Sequence, residues 1–470
     1  MFNELTVFNV LDKLKCTAAG EDELPYWFLK IAAFNIAMPL THMFNLSMST
    51  GIIPSQFKRA LIKPIPKINL PKTHSDYRPI SLTPILSRIL DKLVVKYYLY
   101  PLFYNPLVNP TFSDQFAFRP SGSTQAALIS IIHHITHLLA TNCYVRIIAL
   151  DFTKAFDTVR HATILTKLAK LPVCDQIYNW FIDYFQGHSH TTRFLNQTSN
   201  RAYINASVFQ GSAIGPIMYA INCTDLKPRN KNNFIDKYAD DSYLIVPYEN
   251  EHTLGEELQG IEEWAMSNNL SLNKNKSKEM VFFSSNKKKE DGNTISPVQD
   301  IPRVKSLKIL GVTIQDRLIV TEHVKNVCDS AAQSLYALKL IKSRGLDAKS
   351  LQIVGHAVII SRLTYAAPAW WGFTNANDKQ VIQAIINRAK RWGHLNISLP
   401  TIEQICEERD KDLFKKIISN PYHVLQTLLP EITSHAHSLR SRSHNRQLTH
   451  KISTLVSKSF ITRMLFKDTY

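Results

Sequence analysis

Cysteine is scarce and scattered. The six, Cys16, Cys143, Cys174, Cys223, Cys328 and Cys406, form no C-x-x-C pair, which excludes a zinc knuckle and a disulfide framework and favours a reducing compartment. Long apolar runs are missing too: nothing reaches 18 uninterrupted apolar residues, the length of a spanning helix. The opening MFNELTVFNVLDKLKC lacks a basic segment leading into an apolar core, so it does not read as a signal peptide. The expectation is a soluble intracellular protein, nuclear, cytoplasmic or both, that is not secreted and has no membrane partner. No internal repeat is found, which sets solenoids aside. Acidic residues are in deficit. Lys and Arg number 55 against 38 Asp and Glu, a net charge of +17. That balance suits a phosphate-binding surface, although ribosomal, histone-like and membrane-surface proteins share it. An apolar share of 45% with 10% aromatics excludes extended disorder and collagen. At roughly 150 residues per domain, 470 residues imply about three domains or subdomains.

Residues 54–84, PSQFKRALIKPIPKINLPKTHSDYRPISLTP, are rich in proline and base, and loops with short strands fit best. Thr83 then offers an N-cap with Pro84 at the first helical position, and Ile85, Ile89, Leu93 and Tyr97 recur at helical spacing. Leu128, Ile131, Ile132, Ile135 and Leu139 predict a helix over 124–140. CYVRIIALDF, 143–152, suits a buried strand ending at Asp151. HATILTKLAKL is helical, whereas KYADDSYLIV, 237–246, carries two acids amid strand-like flanks and predicts a hairpin. Thr253 and Glu256 make a capping box for a helix to Asn268. The polar 286–293 segment reads as a surface turn, VKSLKILGVTIQ as a hairpin, and Val324 to Leu338 as a helix stopped near Gly345. Beyond Ser434 the chain is rich in Ser, His and Arg with few bulky apolar residues before Phe460, which predicts a mobile basic extension.

Template-directed phosphoryl transfer uses two divalent cations roughly 3.5–4 Å apart, one at the attacking 3′-hydroxyl and one at the leaving pyrophosphate. Mg²⁺ takes oxygen ligands from a few carboxylates, so three Asp on adjacent strands suffice without His or Cys. Asp151, Asp240 and Asp241 fit, because each lies at or in an apolar strand where an unpaired carboxylate is costly. Singly, Asp151 could cap a turn, and Asp240 with Asp241 could form a solvated hairpin tip.

Order changes that balance. IPK at 65–67, DYRPISL at 76–82, DQFAFRPSGST at 114–124, LDFTKAFDTV at 150–159, FQGSAIGPIMY at 209–219, YADD at 238–241, LSLNKNKSKEMVF from Leu270 and LKILGVTI at 307–314 follow one another. Together they resemble the reverse transcriptases of LINE-type, non-LTR retrotransposons, particularly the jockey-like group, over roughly Leu24 to Leu399. YAAPAWWGF, 365–373, resembles the same group. The resemblance implies an α/β (α+β) right-hand polymerase with fingers, an antiparallel-sheet palm and a helical thumb. The expected divisions are a lead-in at 1–60, fingers at 61–144, palm at 145–315, thumb at 316–400 and a basic C-terminal region at 401–470.

The resemblance also implies roles. Asp151 and Asp240 would ligate two Mg²⁺, with Mn²⁺ as an alternative, and Asp241 would be the auxiliary acid. Lys276 would protonate the departing pyrophosphate. Lys67 and Arg78 would grip the triphosphate, Phe152 and Phe156 would lie at the nucleotide, and Phe156 would exclude a 2′-hydroxyl. Gln210 and Gly211 would support the nascent pair, and Leu310 and Gly311 would form the primer grip. The partners implied are an RNA template, a DNA primer or nicked chromosomal target, and deoxynucleoside triphosphates. Three departures stand out: Phe209 replaces the usual proline, Arg88 and Asp91 replace Lys and Glu, and the tail histidines His435, His437, His444 and His450 lack zinc-knuckle cysteines. GEDELPYWFLK, from Gly20, resembles the link that follows an endonuclease in such elements, so a truncated reading frame is expected. The rival readings are a non-catalytic nucleic-acid-binding relic, an organellar intron maturase and an RNA-dependent RNA polymerase. Phe156 disfavours an RNA product, and YAAPAWWGF disfavours a maturase.

Overall fold

β-branched and apolar runs build three sheets in a computed structural model, which describes residues 1–153, 155–208, 211–284, 295–433, 444–448 and 453–467. In chain order the strands are β1 (Arg59–Pro66), β2 (Tyr77–Leu82), β3 (Tyr144–Leu150), β4 (Ser189–Phe194), β5 (Gln197–Thr198), β6 (Ala202–Tyr203), β7 (Phe234–Tyr238), β8 (Asp241–Pro247), β9 (Lys278–Phe283), β10 (Ser306–Ile309) and β11 (Val312–Gln315). The chain divides into two units. The first comprises Met1–Pro120, Phe152–Leu226 and Ile261–Leu272, and the second Ser121–Asp151, Lys227–Gly260 and Asn273–Tyr470.

In the first unit β1 pairs antiparallel with β2 and parallel with β4, and β5 and β6 add to β4. The prolines of RALIKPIP are tolerated because β4 pairs only with Arg59 to Ile62, leaving Pro64 and Pro66 without a strand on that side. The helix after this hairpin, Ile85–Val94, begins one residue later than its sequence implies. Pro84 is the N-cap with extended ψ of 141°, there is no side-chain cap, and the Thr83 hydroxyl is buried. Helical spacing then continues through a π turn, Val95–Leu99, into Tyr100–Tyr104. Helix Ala33–Thr50 packs on Asp175–Phe185, where the buried Trp180 indole N–H donates to Ser47 at 3.1 Å.

In the second unit four antiparallel strands run in the order β7-β8-β3-β9. Helix Thr124–Thr141 covers this sheet. Ser123 caps it by accepting from the Ala126 N–H at 3.1 Å, and Leu128, Ile131, Ile132, Ile135 and Leu139 are buried as the 3.6-residue period requires. Central strand β3 carries one charge among its apolar residues. The Arg146 side chain is buried and paired with Glu279 and Glu251, while Arg303 approaches Glu279 at 2.8 Å. The β10-β11 hairpin leads to helix Thr321–Ser343, which ends at Arg344 ahead of Gly345 with φ of +96°. Helix Leu254–Ser267 follows Thr253, whose hydroxyl donates to the Asn250 carbonyl and accepts from Asn233.

The end of the chain departs from the mobile-extension expectation. Residues 454–458 and 460–466 are helical and bury Phe460, Ile461, Met464 and Leu465, while Arg463 pairs with buried Asp410. His444 is buried against the Leu465 carbonyl at 3.0 Å. A short apolar cluster thus suffices to dock a segment of basic average composition. The turn expected at 286–293 and His435, His437 and His450 lie outside the described residues. Among the described residues no helix is long and apolar enough to cross a membrane.

Candidate active site

Strand register assembles the three acids within the second unit. Tyr238 pairs with Asp241, so Ala239 and Asp240 form the tip of the β7-β8 hairpin. Leu150 pairs with Ser242, which brings the next residue, Asp151, beside Asp241. The tip is strained: Ala239 has φ of +58°, a left-handed conformation disfavoured by its Cβ. The backbone of Asp151 is held on both sides by the turn before β9. Its N–H donates to the Ser277 hydroxyl at 3.1 Å, and its carbonyl accepts from the Asn273 N–H at 2.8 Å. Ser277 is buried and donates to the Asn273 carbonyl at 2.9 Å, which closes the loop of contacts. Sequence reading chose Lys276 from this segment and missed its neighbours. The small polar residues Asn273 and Ser277 at a four-residue spacing were the available signal.

Burial pushes Asp241 up to about 6, and the charges of Asp240 and Asp151 add to the rise. Asp240 is also raised, chiefly by burial and further by Asp151. Both shifts come first from burial of the carboxylate and then from the neighbouring anions at the same end of the sheet. A divalent cation would relieve it, and hard carboxylate oxygens are the donors Mg²⁺ prefers. Among the described residues no three His, Cys, Asp or Glu side chains converge on a single metal-sized point. Asp240 and Asp241 keep solvent access at the hairpin tip while their carboxylates are largely surrounded by protein, so a cation can reach them. The donor set therefore fits in kind and strand placement, with side-chain convergence still to be made.

Lys276 is exposed in the same turn, its backbone N–H bonded to Asn273. Leu310 and Gly311 form the two-residue turn of the β10-β11 hairpin with φ of +44° and +90°. Two successive positive φ values give the turn that matches strand twist, and glycine accepts it without strain.

Most of the nucleotide-site candidates belong to the first unit. Ile65 pairs with Arg78, so Lys67 and Arg78 project from one face at the end of the β1-β2 pair that the 67–76 connection closes, and both are exposed. The Lys67 ammonium donates to the Ser75 carbonyl at 2.8 Å. Gly211 has φ of +123°, and a Cβ there would lie 2.4 Å from the Ser81 carbonyl, so only glycine permits this approach to β2. Gln210 and Phe209 lie outside the described residues. Phe156, on the short helix Ala155–Thr158, stacks on Tyr219 at 4.4 Å and meets Phe118 edge-on at 6.3 Å, yet it stays partly exposed. Phe152 is placed differently from Phe156. Its side chain is buried edge-on against Trp264 at 5.7 Å, so its ring is a core group and only its backbone is left to meet a nucleotide.

A family model described as reverse transcriptase (RNA-dependent DNA polymerase) matches residues 65–314, more than half of the chain. The RNA-directed DNA polymerase from the mobile element jockey of Drosophila funebris is 25% identical over 96% of this chain and 52% of its own length. The probable RNA-directed DNA polymerases from transposons X-element and BS of Drosophila melanogaster are 25% and 27% identical over 80% and 79% of this chain. Each of those two is covered over 42% of its own length, so the chain spans about half the length of the curated relatives it matches. Among solved structures, apo telomerase from Candida tropicalis aligns at 14% identity and a TM-score of 0.43, covering 83% of this chain and 68% of that one. The motif order, the mixed helix and sheet architecture and the family match agree, and the chain belongs to the reverse transcriptase (RNA-dependent DNA polymerase) family, with jockey-like elements among its relatives.

Proposed function

We propose that this chain extends a primer 3′-hydroxyl with deoxynucleoside triphosphates on an RNA template. The observation that carries the reading is the arrival of Asp151, Asp240 and Asp241 at one end of one sheet. In the reaction the primer oxygen bonds to the α-phosphorus, the bond to pyrophosphate breaks, and the hydroxyl proton passes to solvent. Two Mg²⁺, or Mn²⁺ in their place, would supply charge neutralisation at the attacking and leaving oxygens. Asp151 and Asp240 would hold them, with Asp241 as the auxiliary acid. Lys276 would donate a proton to pyrophosphate, for which its exposure leaves it free to reach outward. Lys67 and Arg78 would take the triphosphate by charge-assisted hydrogen bonds. Gly211, with Gln210 before it, would support the nascent pair, Phe156 would face the sugar, and Leu310 with Gly311 would hold the primer end. The β1-β2 hairpin corresponds to fingers, the four-stranded sheet to palm and the helices after β11 to thumb. Work on nucleic acid would place the chain in the nucleus, the cytoplasm or both.

The test is primer extension on matched RNA and DNA templates with purified chain. Metal-dependent synthesis on RNA is expected, and Asp240→Asn should abolish it while leaving primed-template affinity within about twofold, because a metal ligand is lost and the basic surface is kept. Extension by Asp240→Asn at the parent rate would overturn the metal assignment. Binding without extension by the parent would favour the relic reading.

A further inference from the structure

The Tyr365–Phe373 segment belongs to the family resemblance yet has no part in the chemistry above. Its first residue reaches the primer-grip turn. The Tyr365 hydroxyl donates to the Leu310 carbonyl at 3.0 Å and shares a hydrogen bond with the Thr124 hydroxyl at 2.9 Å. Its ring lies under the turn, since a Cβ on Gly311 would stand 3.1 Å from the Tyr365 Cε1. The other polar group of Leu310, its N–H, faces the hydroxyl of Tyr243, two residues beyond Asp241 on β8. The turn thus stands near β8 and is linked through the Tyr365 hydroxyl to the first residue of helix Thr124–Thr141. Tyr365 itself is held by the residues after it. Ala366 takes φ of +50°, and the chain folds back so that the buried Trp370 indole N–H donates to the Tyr365 carbonyl at 2.9 Å. Trp370 is wedged edge-on to His323 at 5.0 Å. The hydroxyphenyl group also stands at a solvent-facing wall, an open cleft of about 650 Å³ lined by Lys308, Gly311, His323, Ser330, Arg362 and Tyr365.

We propose that Tyr365 is the positioning residue of the Leu310–Gly311 turn, fixing where that turn presents a primer terminus to the catalytic acids, and that the AAPAWW residues after it serve to lock Tyr365. This rests on the polymerase reading above. Tyr365→Phe keeps the ring beneath Gly311 and removes both hydroxyl contacts. Single-nucleotide extension should then lose about 10-fold in kcat, inside the roughly 100-fold that a 1 Å misplacement costs. KM for the nucleotide and Kd for primed template should stay within about twofold, and the melting temperature within about 2 °C. Amide exchange at Leu310 and Gly311 should quicken. Thr124→Val, which frees the hydroxyl from its second partner without touching the turn, should give a smaller kcat loss of the same kind. An unchanged kcat in Tyr365→Phe, with a parent that extends primers, overturns the positioning role alone. A loss of kcat that only tracks a lowered melting point and folded fraction overturns it too, because that is packing. A parent that extends nothing overturns the polymerase reading and this role with it.

Discussion

Phe156 stacks one face on Tyr219 and keeps part of its surface open, so truncating it separates two roles. As a sugar gate, Phe156→Val should relax discrimination against ribonucleotides by about 10–200-fold while sparing deoxynucleotide incorporation, since shape alone supplies about 1–3 kcal/mol. As a core ring it would lower all activities together and cost about 1–3 kcal/mol of stability. Incorporation efficiencies for matched ribo- and deoxyribonucleotides on one RNA template decide, and an unchanged ratio with a lowered melting point rules out the gate. A second residue, Asp91, is buried in helix Ile85–Val94 beside Arg88, with the Tyr184 hydroxyl facing it. Burial pushes its carboxyl up to about 8, against the lowering effects of the Ala213 backbone and Arg88. The folded chain therefore keeps a proton that the unfolded chain releases near pH 4, and folding stability falls as pH rises from there through about 8. Between pH 7 and 8, above ordinary histidine titration, the parent should melt lower at the higher pH and Asp91→Asn should flatten the slope. Parallel pH profiles for the two proteins would show that Asp91 ionises freely.

At the scale of the element, β3 explains why an apolar run can carry an arginine. Arg146 lies between Glu279 of the neighbouring β9 and Glu251, with Arg303 closing the group. Removing one member of such a group leaves an uncompensated buried charge, so Arg146→Ala should cost about 3–5 kcal/mol in denaturant unfolding. Arg146→Met together with Glu279→Leu should recover much of that loss, because the pair is replaced by packing. A double variant no more stable than Arg146→Ala would mean that the ion group fixes something beyond charge balance. The hairpins follow simpler rules. The YADD tip and the Leu310–Gly311 turn were both foreseeable from short strand-like flanks, and positive φ at Ala239, Leu310 and Gly311 closes them in two residues.

For the whole molecule, the surplus of 17 positive charges suits a polyanionic partner. Affinity for a primed template should fall linearly in log–log with salt, by roughly −0.7 to −0.9 per neutralised phosphate, with little dependence on sequence. Titrations of labelled primer-template from low to physiological salt read the slope. A flat response would sink the view that this charge engages nucleic acid. The two units each hold part of the candidate set, Lys67, Arg78, Phe156 and Gly211 in the first and the acids, Lys276 and the Leu310–Gly311 turn in the second, so each can be probed by its own variants.

The sequence alone singled out Asp151, Asp240 and Asp241 as the proposed metal ligands, because aspartates in apolar, β-branched runs have few bland explanations once the other motifs follow in order, and strand register brings them to one end of one sheet. It determined the helix over Thr124–Thr141 and the hairpins as well, since periods of 3.6 and 2 are local properties. It misjudged the helix start at Pro84 and the end of the chain, where packing of Phe460, Ile461, Met464 and Leu465 overrides basic composition. The burial of the Phe152 ring against Trp264 is a long-range fact that the sequence does not carry. Only the tertiary structure decided that Ser277 and Asn273 hold the backbone of Asp151, that Arg146 is balanced by Glu251 and Glu279, and that Tyr365 meets a turn 55 residues before it. Those contacts join residues far apart in the chain through single hydrogen bonds and ion pairs, which leave no periodic trace in the sequence.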